Sequence, residues 1–208
     1  MIVDVWSDLV CPWCYLGKRR FEKALSALPG HDQVHVVHRS FQLDPSMPKG
    51  QSTRAREMLM RKYRMTEQQV IASQAQLEQL AAAEGLEYHL ADSHTGNTMD
   101  AHRLVHLGRE QGIQDAVIER LFHGHFTENR SLFDRDSLAA LGAEAGLQDV
   151  DALLTGNRFE RDVVSDHQEA HALGARGVPF FVIDGRFGVS GAQTVEVFSS
   201  ALLRASGA

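Results

Sequence analysis

Two cysteines carry the clearest reactive chemistry in this sequence. Cys11 and Cys14 are the only cysteines among 208 residues, and they lie three positions apart. A pair at this spacing can exchange a disulfide with an outside thiol, join other side chains in a metal site, or pack in a core. Two thiols are too few for a four-cysteine zinc site, or for a small secreted domain held together by several disulfides.

The residues around the pair predict where the two sulfurs lie. A β-rich run, Ile2 to Trp6, precedes a chain break, and helical spacing begins at Cys11 with Pro12 suited to the first turn. Cys11 is therefore predicted at a helix N-terminus, where backbone N–H groups and the helix dipole favour a thiolate over a thiol. Cys14, nearly one turn further along the same face, is predicted to be more buried and less ionised. It is then placed to attack a mixed disulfide formed at Cys11.

A proline far along the sequence is the second predicted part of the site. Pro179 follows Val178 directly before a predicted strand, a position that suits a cis peptide bond. Such a bond exposes the Val178 backbone to an extended substrate lying across Cys11. Asp8 is predicted to hold the turn before Cys11, with proton acceptance as the alternative. Trp13 is interpreted as a side chain that lines a substrate groove.

The order of periodic segments predicts an α/β fold. The chain begins as strand, helix and strand, continues as an almost wholly helical block, and ends with a hairpin at Asp184-Gly185 and a helix. We predict a four-stranded sheet with a large all-helical insertion between its second and third strands. The predicted boundaries are 1–52 and 175–208 for the sheet domain and 53–174 for the inserted helical domain.

Charge and hydropathy restrict the partners. The formal net charge is −6, which gives no general electrostatic reason to expect nucleic acid. A locally basic stretch is interpreted as a solvated helix face rather than a partner site; it contains Arg54, Arg56, Arg61, Lys62 and Arg64. No apolar run is long enough to span a membrane, and the first residues resemble no secretory peptide. A cytoplasmic location is expected, where a cysteine pair is catalytic or metal-binding rather than a stable structural disulfide.

Metal binding by histidine is the weaker alternative. His31 and His35 follow the cysteines, but the 16 residues between the two pairs exceed the usual zinc-finger spacing. Two other pairs have the i,i+4 spacing of a helix face, namely His102 with His106 and His167 with His171. We interpret both as partly exposed helix-face histidines, because no further ligand motif accompanies them. No metal site is predicted.

The segment from Ser7 to Lys18, with the sequence SDLVCPWCYLGK, resembles the thioredoxin-fold family of DsbA-like oxidoreductases. The FrnE-like cytoplasmic branch is the most similar, and the resemblance extends over essentially the whole chain. It includes the segments Phe41–Pro45, Gly96–His102 and Gly177–Gln193. The resemblance implies a thioredoxin-like fold.

The same resemblance implies roles for individual residues. Cys11 is implied as the nucleophile, Cys14 as its resolving partner and Pro179 as a cis proline in a thiol–disulfide oxidoreductase. Four further residues are carried over as substrate-binding candidates: Asn97, Thr98, Asp100 and Ser190. Trp13 stands where the periplasmic DsbA enzymes carry histidine, so a milder oxidant is expected.

The partners implied are a protein or small-molecule thiol or disulfide, with no cofactor beyond the redox-active pair. Glutathione stays open as a co-substrate, because a helix N-terminus near Gln193 can receive a carboxylate. A homodimer is compatible with the resemblance. Both thiols belong to one motif, so an oxidised form must exchange directly with an outside thiol.

Two other functions are compatible with the sequence. One is a glutathione-dependent isomerase or transferase of the kappa or 2-hydroxychromene-2-carboxylate isomerase type, in which serine replaces the first cysteine. This chain retains Cys11 and Cys14, which favours dithiol chemistry. The other is a non-enzymatic, redox-sensitive holdase whose helical insertion grips its partners.

Overall fold

The computed structural model of the chain describes residues 1–207. Ala208, the last residue of the predicted 175–208 segment, lies outside the described residues. The chain forms two compact units. Met1–Leu43 and the chain from Arg161 onward make the first, here called the sheet unit, and Asp44–Glu160 make the second, the helical unit.

Over most of the chain, the helices and strands follow each other in the order that the periodicity predicts. In chain order they are β1 (Ile2–Ser7), α1 (Pro12–Ser26), β2 (His35–Ser40), β3 (Ser52–Arg54), α2 (Ala55–Tyr63), α3 (Glu67–Ala83), β4 (His94–Gly96), α4 (Met99–Glu110), α5 (Gln114–Phe126), α6 (Arg135–Glu144), α7 (Val150–Thr155), α8 (Glu160–Ala172), β5 (Phe180–Ile183), β6 (Phe187–Ser190) and α9 (Val195–Ser206). Short 3₁₀ turns occupy His31–Gln33 and Leu90–Asp92.

The sheet unit is built on a four-stranded mixed sheet with the strand order β2-β1-β5-β6. Strand β1 is parallel to β2 and antiparallel to β5, and β5 is antiparallel to β6. The β5–β6 hairpin turns at Asp184 and Gly185, both of which have positive φ, as a type I′ turn requires. The predicted sheet and its hairpin are confirmed.

Helices cover both faces of this sheet. On one face, α1 and α9 pack against the strands through an aromatic cluster of Phe21, Phe181 and Phe198, whose ring centroids lie 4.7–5.7 Å apart. On the other face, Ala170 of α8 packs with Trp6 and other apolar side chains. The inner strands are therefore buried on both sides, which explains why β5 is apolar at every position.

Helix α8 belongs to the sheet unit, although the sequence places it in the insertion. The Trp6 indole donates a hydrogen bond of 2.8 Å to the Asp166 carbonyl, and the Ser40 N–H donates one of 2.9 Å to the Asp166 carboxylate. These contacts hold α8 against β1 and β2. The boundaries of the compact units consequently differ from those predicted from the sequence at 52/53 and 174/175.

The helical unit contains α2 to α7 and a short two-stranded antiparallel sheet of β3 and β4. The insertion is therefore not all-helical. Thr66 and Gln69 form a capping box at the start of α3, with each side chain bonded to the other's backbone N–H. Arg103 is buried and donates to the carbonyls of Arg158 and Gly156 at 2.7 Å, so it ties α4 to the chain after α7.

Candidate active site

Cys11 is the residue that begins helix α1. It takes an extended backbone conformation at the N-cap, and Pro12 occupies the first helical position. The Cys11 N–H closes the preceding turn on the Asp8 carbonyl at 3.0 Å, and the Cys14 N–H donates to the Cys11 carbonyl at 2.9 Å. The predicted position at a helix N-terminus is confirmed.

Cys14 lies beneath Cys11 and differs from it in burial. Both cysteines are free thiols, but Cys14 is only 1% exposed whereas Cys11 is 7% exposed. Burial raises the pKa of the Cys14 thiol well above its usual value, and a hydrogen bond with Cys11 raises it further. The Asp8 backbone lowers this pKa through a hydrogen bond, while the nearby Asp8 carboxylate raises it. Cys14 is therefore held as a neutral thiol.

The chain around Pro179 reaches the first cysteine. The Val178–Pro179 peptide bond is cis, and the Cys11 Sγ atom lies 3.7 Å from the Val178 carbonyl oxygen, to which it donates. The Gly191 N–H donates to the Pro179 carbonyl at 2.8 Å, which fixes this segment to the end of β6. A thiol and a backbone carbonyl thus face each other from sequence positions 167 residues apart.

Gly17 is a structural requirement of this arrangement that the sequence analysis did not identify. A Cβ atom at Gly17 would lie 2.8 Å from the Pro179 ring and 3.4 Å from the Ala192 backbone. The glycine therefore lets α1 approach the Pro179 segment closely. A glycine inside a helical pattern, six residues after Cys11, is the signal that could have revealed it.

The side chains beside the cysteines divide into exposed and buried ones. Trp13 is 44% exposed next to Cys11, whereas Trp6 is 1% exposed and belongs to the core. The buried Asp8 carboxylate accepts the Leu43 N–H at 2.7 Å. Asp8 therefore connects the turn before Cys11 to the chain after β2, which supports the predicted structural role.

The remaining predicted residues lie apart from this cluster in the sequence. Ser190 is exposed at the end of β6, paired in register with Phe180 of β5. In the helical unit, the Asn97 side chain donates to the Met47 carbonyl at 2.7 Å and accepts the Met99 N–H at 2.9 Å. Thr98 is buried before α4.

Asp100 also contacts residues of the helical unit. It forms ion pairs with Lys49 at 3.0 Å and with Arg103 at 2.7 Å. In the structure, the side chains of Asn97 and Asp100 are bonded to neighbours in their own unit. A role of these residues in substrate binding stays a prediction.

The histidine pairs have no third metal ligand: among residues 1–207, no group of three or more histidine, cysteine or acidic side chains is placed to hold a metal ion. His102 and His106 are buried in α4, not partly exposed as predicted, because α4 is buried on all sides from Ala101 to Gly108.

The pair on α8 has a hydrogen-bonding pattern of its own. The Gln42 N–H donates to His167 Nδ1 at 3.2 Å, so the proton of a neutral His167 ring is on Nε2. That Nε2 lies 3.1 Å from His171 Nε2 and donates to it. A metal at this point would require His167 to lose its contact with Gln42, which disfavours metal binding.

Helices long and apolar enough to cross a membrane are absent from residues 1–207. A cytoplasmic location stays a prediction from the sequence.

Comparison with known proteins agrees with this geometry. The chain is similar to the crystal structure of the probable DsbA oxidoreductase SCO1869 from Streptomyces coelicolor, with a TM-score of 0.96 and 47% identity over 100% of this chain and 90% of that one. The uncharacterized protein YwbO of Bacillus subtilis (strain 168) is 28% identical over 207 residues, which cover 96% of this chain and 94% of YwbO.

A more distant structure has the same fold. The cytosolic disulfide reductase DsbM from Pseudomonas aeruginosa, solved with GSH, has a TM-score of 0.68 and 17% identity, with full coverage of both chains. The family model of the DSBA-like thioredoxin domain matches residues 2–203. This chain therefore belongs to the DSBA-like thioredoxin family and has the fold of its thiol oxidoreductases.

Proposed function

We propose that this protein is a thiol–disulfide oxidoreductase that works through the Cys11–Cys14 pair. The observation that carries the proposal is the juxtaposition of the Cys11 sulfur, at the start of α1, with the Val178 carbonyl 3.7 Å away. A substrate strand beside Val178 would bring its own sulfur next to Cys11. Cys14 is close behind and protected from solvent.

The exchange follows from the different environments of the two sulfurs. The Cys11 thiolate attacks one sulfur of a substrate disulfide, an S–S bond forms between them, and the other substrate sulfur leaves as a thiolate. Cys14 then loses its proton and attacks Cys11, releasing the second substrate thiol and closing the Cys11–Cys14 disulfide. Two electrons pass from the dithiol to the substrate, and an outside dithiol restores the reduced pair. The same steps in reverse oxidise a substrate dithiol.

Variants of the two cysteines test this proposal. The reduced protein is mixed with a disulfide substrate, and released thiol is followed for the wild type, Cys11→Ser and Cys14→Ser. Loss of exchange in Cys11→Ser, and accumulation of a mixed disulfide in Cys14→Ser, are expected because each variant stops one of the two attacks. Equal rates in the wild type and Cys11→Ser would refute the proposal.

Glutathione is proposed as a co-substrate, on the likeness in fold to a disulfide reductase solved with GSH. Saturation of the exchange rate with glutathione would support this. Glutathione-dependent turnover that survives Cys14→Ser would instead favour an isomerase or transferase. Suppression of aggregation without thiol turnover would favour a holdase. The FrnE-like branch and a homodimer stay predictions.

A further inference from the structure

Helix α2 differs from the other helices of the helical unit in charge. Within residues 54–64 five cations accompany the single carboxylate of Glu57, in a chain whose net charge is −6. Four of these cations are exposed at the start and end of the helix: Arg54, Arg61, Lys62 and Arg64. Arg64 itself ends α2 in the left-handed conformation. The sequence favours a solvated face here, and the exposure of these four cations agrees with it.

The exposed cations of α2 have no ion pair among the described residues. Arg56, which is partly buried, is the one cation of this stretch with a carboxylate nearby, that of Glu67 at 3.4 Å. Several cations elsewhere in the helical unit are paired with acidic neighbours. Lys49 pairs with Asp100 and Glu160, Arg120 and Arg130 pair with Glu144, and Arg158 pairs with Glu110. The positive charge of α2 is therefore available to a partner.

Apolar side chains accompany this charge. Tyr63 is 59% exposed, and the Lys62 ammonium lies 5.8 Å from its ring centroid. No residue of α2 is fully buried, and its half-buried side chains include Met58, Leu59 and Met60. Methionine side chains adapt to partners of different shape. Helix α2 contacts α3, β3, β4 and the Leu90–Asp92 turn, while Tyr63 and its cationic neighbours stay exposed at the C-terminal end of the helix.

We propose that the exposed face of α2 binds acidic, unfolded polypeptides, which are the substrates whose disulfides exchange at Cys11. This inference rests on the proposed function. Cations attract the carboxylates of such a chain, and the tyrosine and methionine side chains contact its apolar residues. A nucleic acid fits less well, because its closely spaced phosphates are repelled by the net negative charge of the protein more strongly than the scattered carboxylates of an acidic polypeptide.

Substrate kinetics test the inference. The variant Arg61→Glu/Lys62→Glu/Arg64→Glu is compared with the wild type and with a control that reverses three other exposed cations, Arg109→Glu/Arg161→Glu/Arg204→Glu. Both variants change the net charge equally, and thermal unfolding verifies that each is folded. The substrates are an unfolded acidic polypeptide with one disulfide, a basic polypeptide of the same cysteine spacing, and uncharged hydroxyethyl disulfide.

The expected result is selective. In the α2 variant, KM for the acidic polypeptide rises about tenfold at low salt, kcat is unchanged, and the rise disappears at high salt. The control variant and the hydroxyethyl disulfide reaction should be unaffected. An equal rise of KM for the acidic and basic polypeptides, or an equal rise in both variants, would overturn the inference.

A binding measurement separates this inference from the proposed function. Fluorescence anisotropy follows a labelled, cysteine-free acidic polypeptide titrated with the wild type and with both variants. If the wild type does not reduce hydroxyethyl disulfide, the proposed function fails. Even then, a loss of polypeptide binding in the α2 variant alone would support the α2 surface. Binding that all three proteins share would overturn it, and so would a preference of α2 for single-stranded RNA over the polypeptide.

Discussion

The cysteine segment of the sheet unit and the Asn97–Asp100 segment of the helical unit use their reactive groups in opposite ways. Cys11 directs its sulfur at the carbonyl of Val178, 167 residues away, and leaves an exposed tryptophan beside it. Asn97 bonds to the backbones of Met47 and Met99, and Asp100 pairs with two cations of the same unit. The difference teaches that the contacts of a polar side chain separate a group aimed at a distant segment from one bonded within its own unit.

The largest expected effect concerns the structural side of this comparison. The Arg103 guanidinium is 1% exposed and donates hydrogen bonds to Asp100 and to three backbone carbonyls. Because Arg103→Met removes these bonds, we expect the free energy of unfolding to fall by about 3 kcal/mol. Urea unfolding measures this change. Arg109→Met, which alters an exposed residue of the same helix, is the control and should have little effect. Loss of thiol exchange without loss of stability would contradict the structural role.

The second prediction concerns the chemical side. Gly17→Ala puts a methyl group 2.8 Å from the Pro179 ring, which shifts the Pro179 segment relative to Cys11. We expect the exchange rate to fall about tenfold or more, with a loss of stability of only about 1–2 kcal/mol. Stopped-flow exchange and urea unfolding measure the two effects. Gly188→Ala is the control, since its Cβ would meet only the Phe180 ring at 3.5 Å; a similar rate loss there would refute the explanation.

The third prediction tests the burial of Cys14 through pH. Because its pKa is raised in the folded protein, the neutral thiol contributes stability that is fully present below the ordinary thiol pKa. That contribution is lost as the pH rises toward the raised value. Between about pH 8 and about pH 10, the reduced wild type should lose about 1 kcal/mol more stability than Cys14→Ala. Identical pH slopes in urea unfolding would show that burial does not hold this proton.

The smallest expected effect is at the surface of the helical unit. Hydrogen bonds from Arg130 and Arg120 lower the pKa of Glu144, so its contribution is present above the ordinary glutamate pKa and is lost as the pH falls through the lowered value. Because Glu144 is 44% exposed, Glu144→Gln should lower Tm by less than about 2 °C at neutral pH. The difference should vanish in acid and in high salt, and a larger, salt-independent shift would contradict a surface ion pair.

Elements with several turns of periodic pattern could be predicted from the sequence. Helices α1, α4, α5, α6 and α8, the strands of the main sheet, the α3 capping box and the hairpin at Asp184 were all indicated by local patterns. Strands β3 and β4 have three residues each and α7 has six, which is too short for periodicity to appear. Their positions depend on tertiary contacts.

The parts of the site that depend on neighbouring residues in the sequence could be predicted. Pro12 and the spacing after it indicate that Cys11 starts a helix, and the structure agrees. The partners that depend on long-range contacts were not predictable, namely Gly17 against Pro179, Asp8 against Leu43 and Gln42 against His167. The burial of His102 was also missed, because the buried part of α4 contains the polar residues His102, Arg103 and His106, and polar residues at helical spacing indicate an exposed face.

The distance in sequence between Cys11 and Val178 has a consequence during protein synthesis. The central strand β1 emerges early, but its antiparallel neighbour β5 is made near the end of the chain. At roughly 5–20 residues per second, a ribosome needs about ten seconds or more to add the intervening residues. Throughout that interval the nascent chain carries a cysteine pair without its facing carbonyl. The complete site, with the Val178 carbonyl facing Cys11, should therefore be assembled only as translation finishes, when the late strand completes the sheet around the early one.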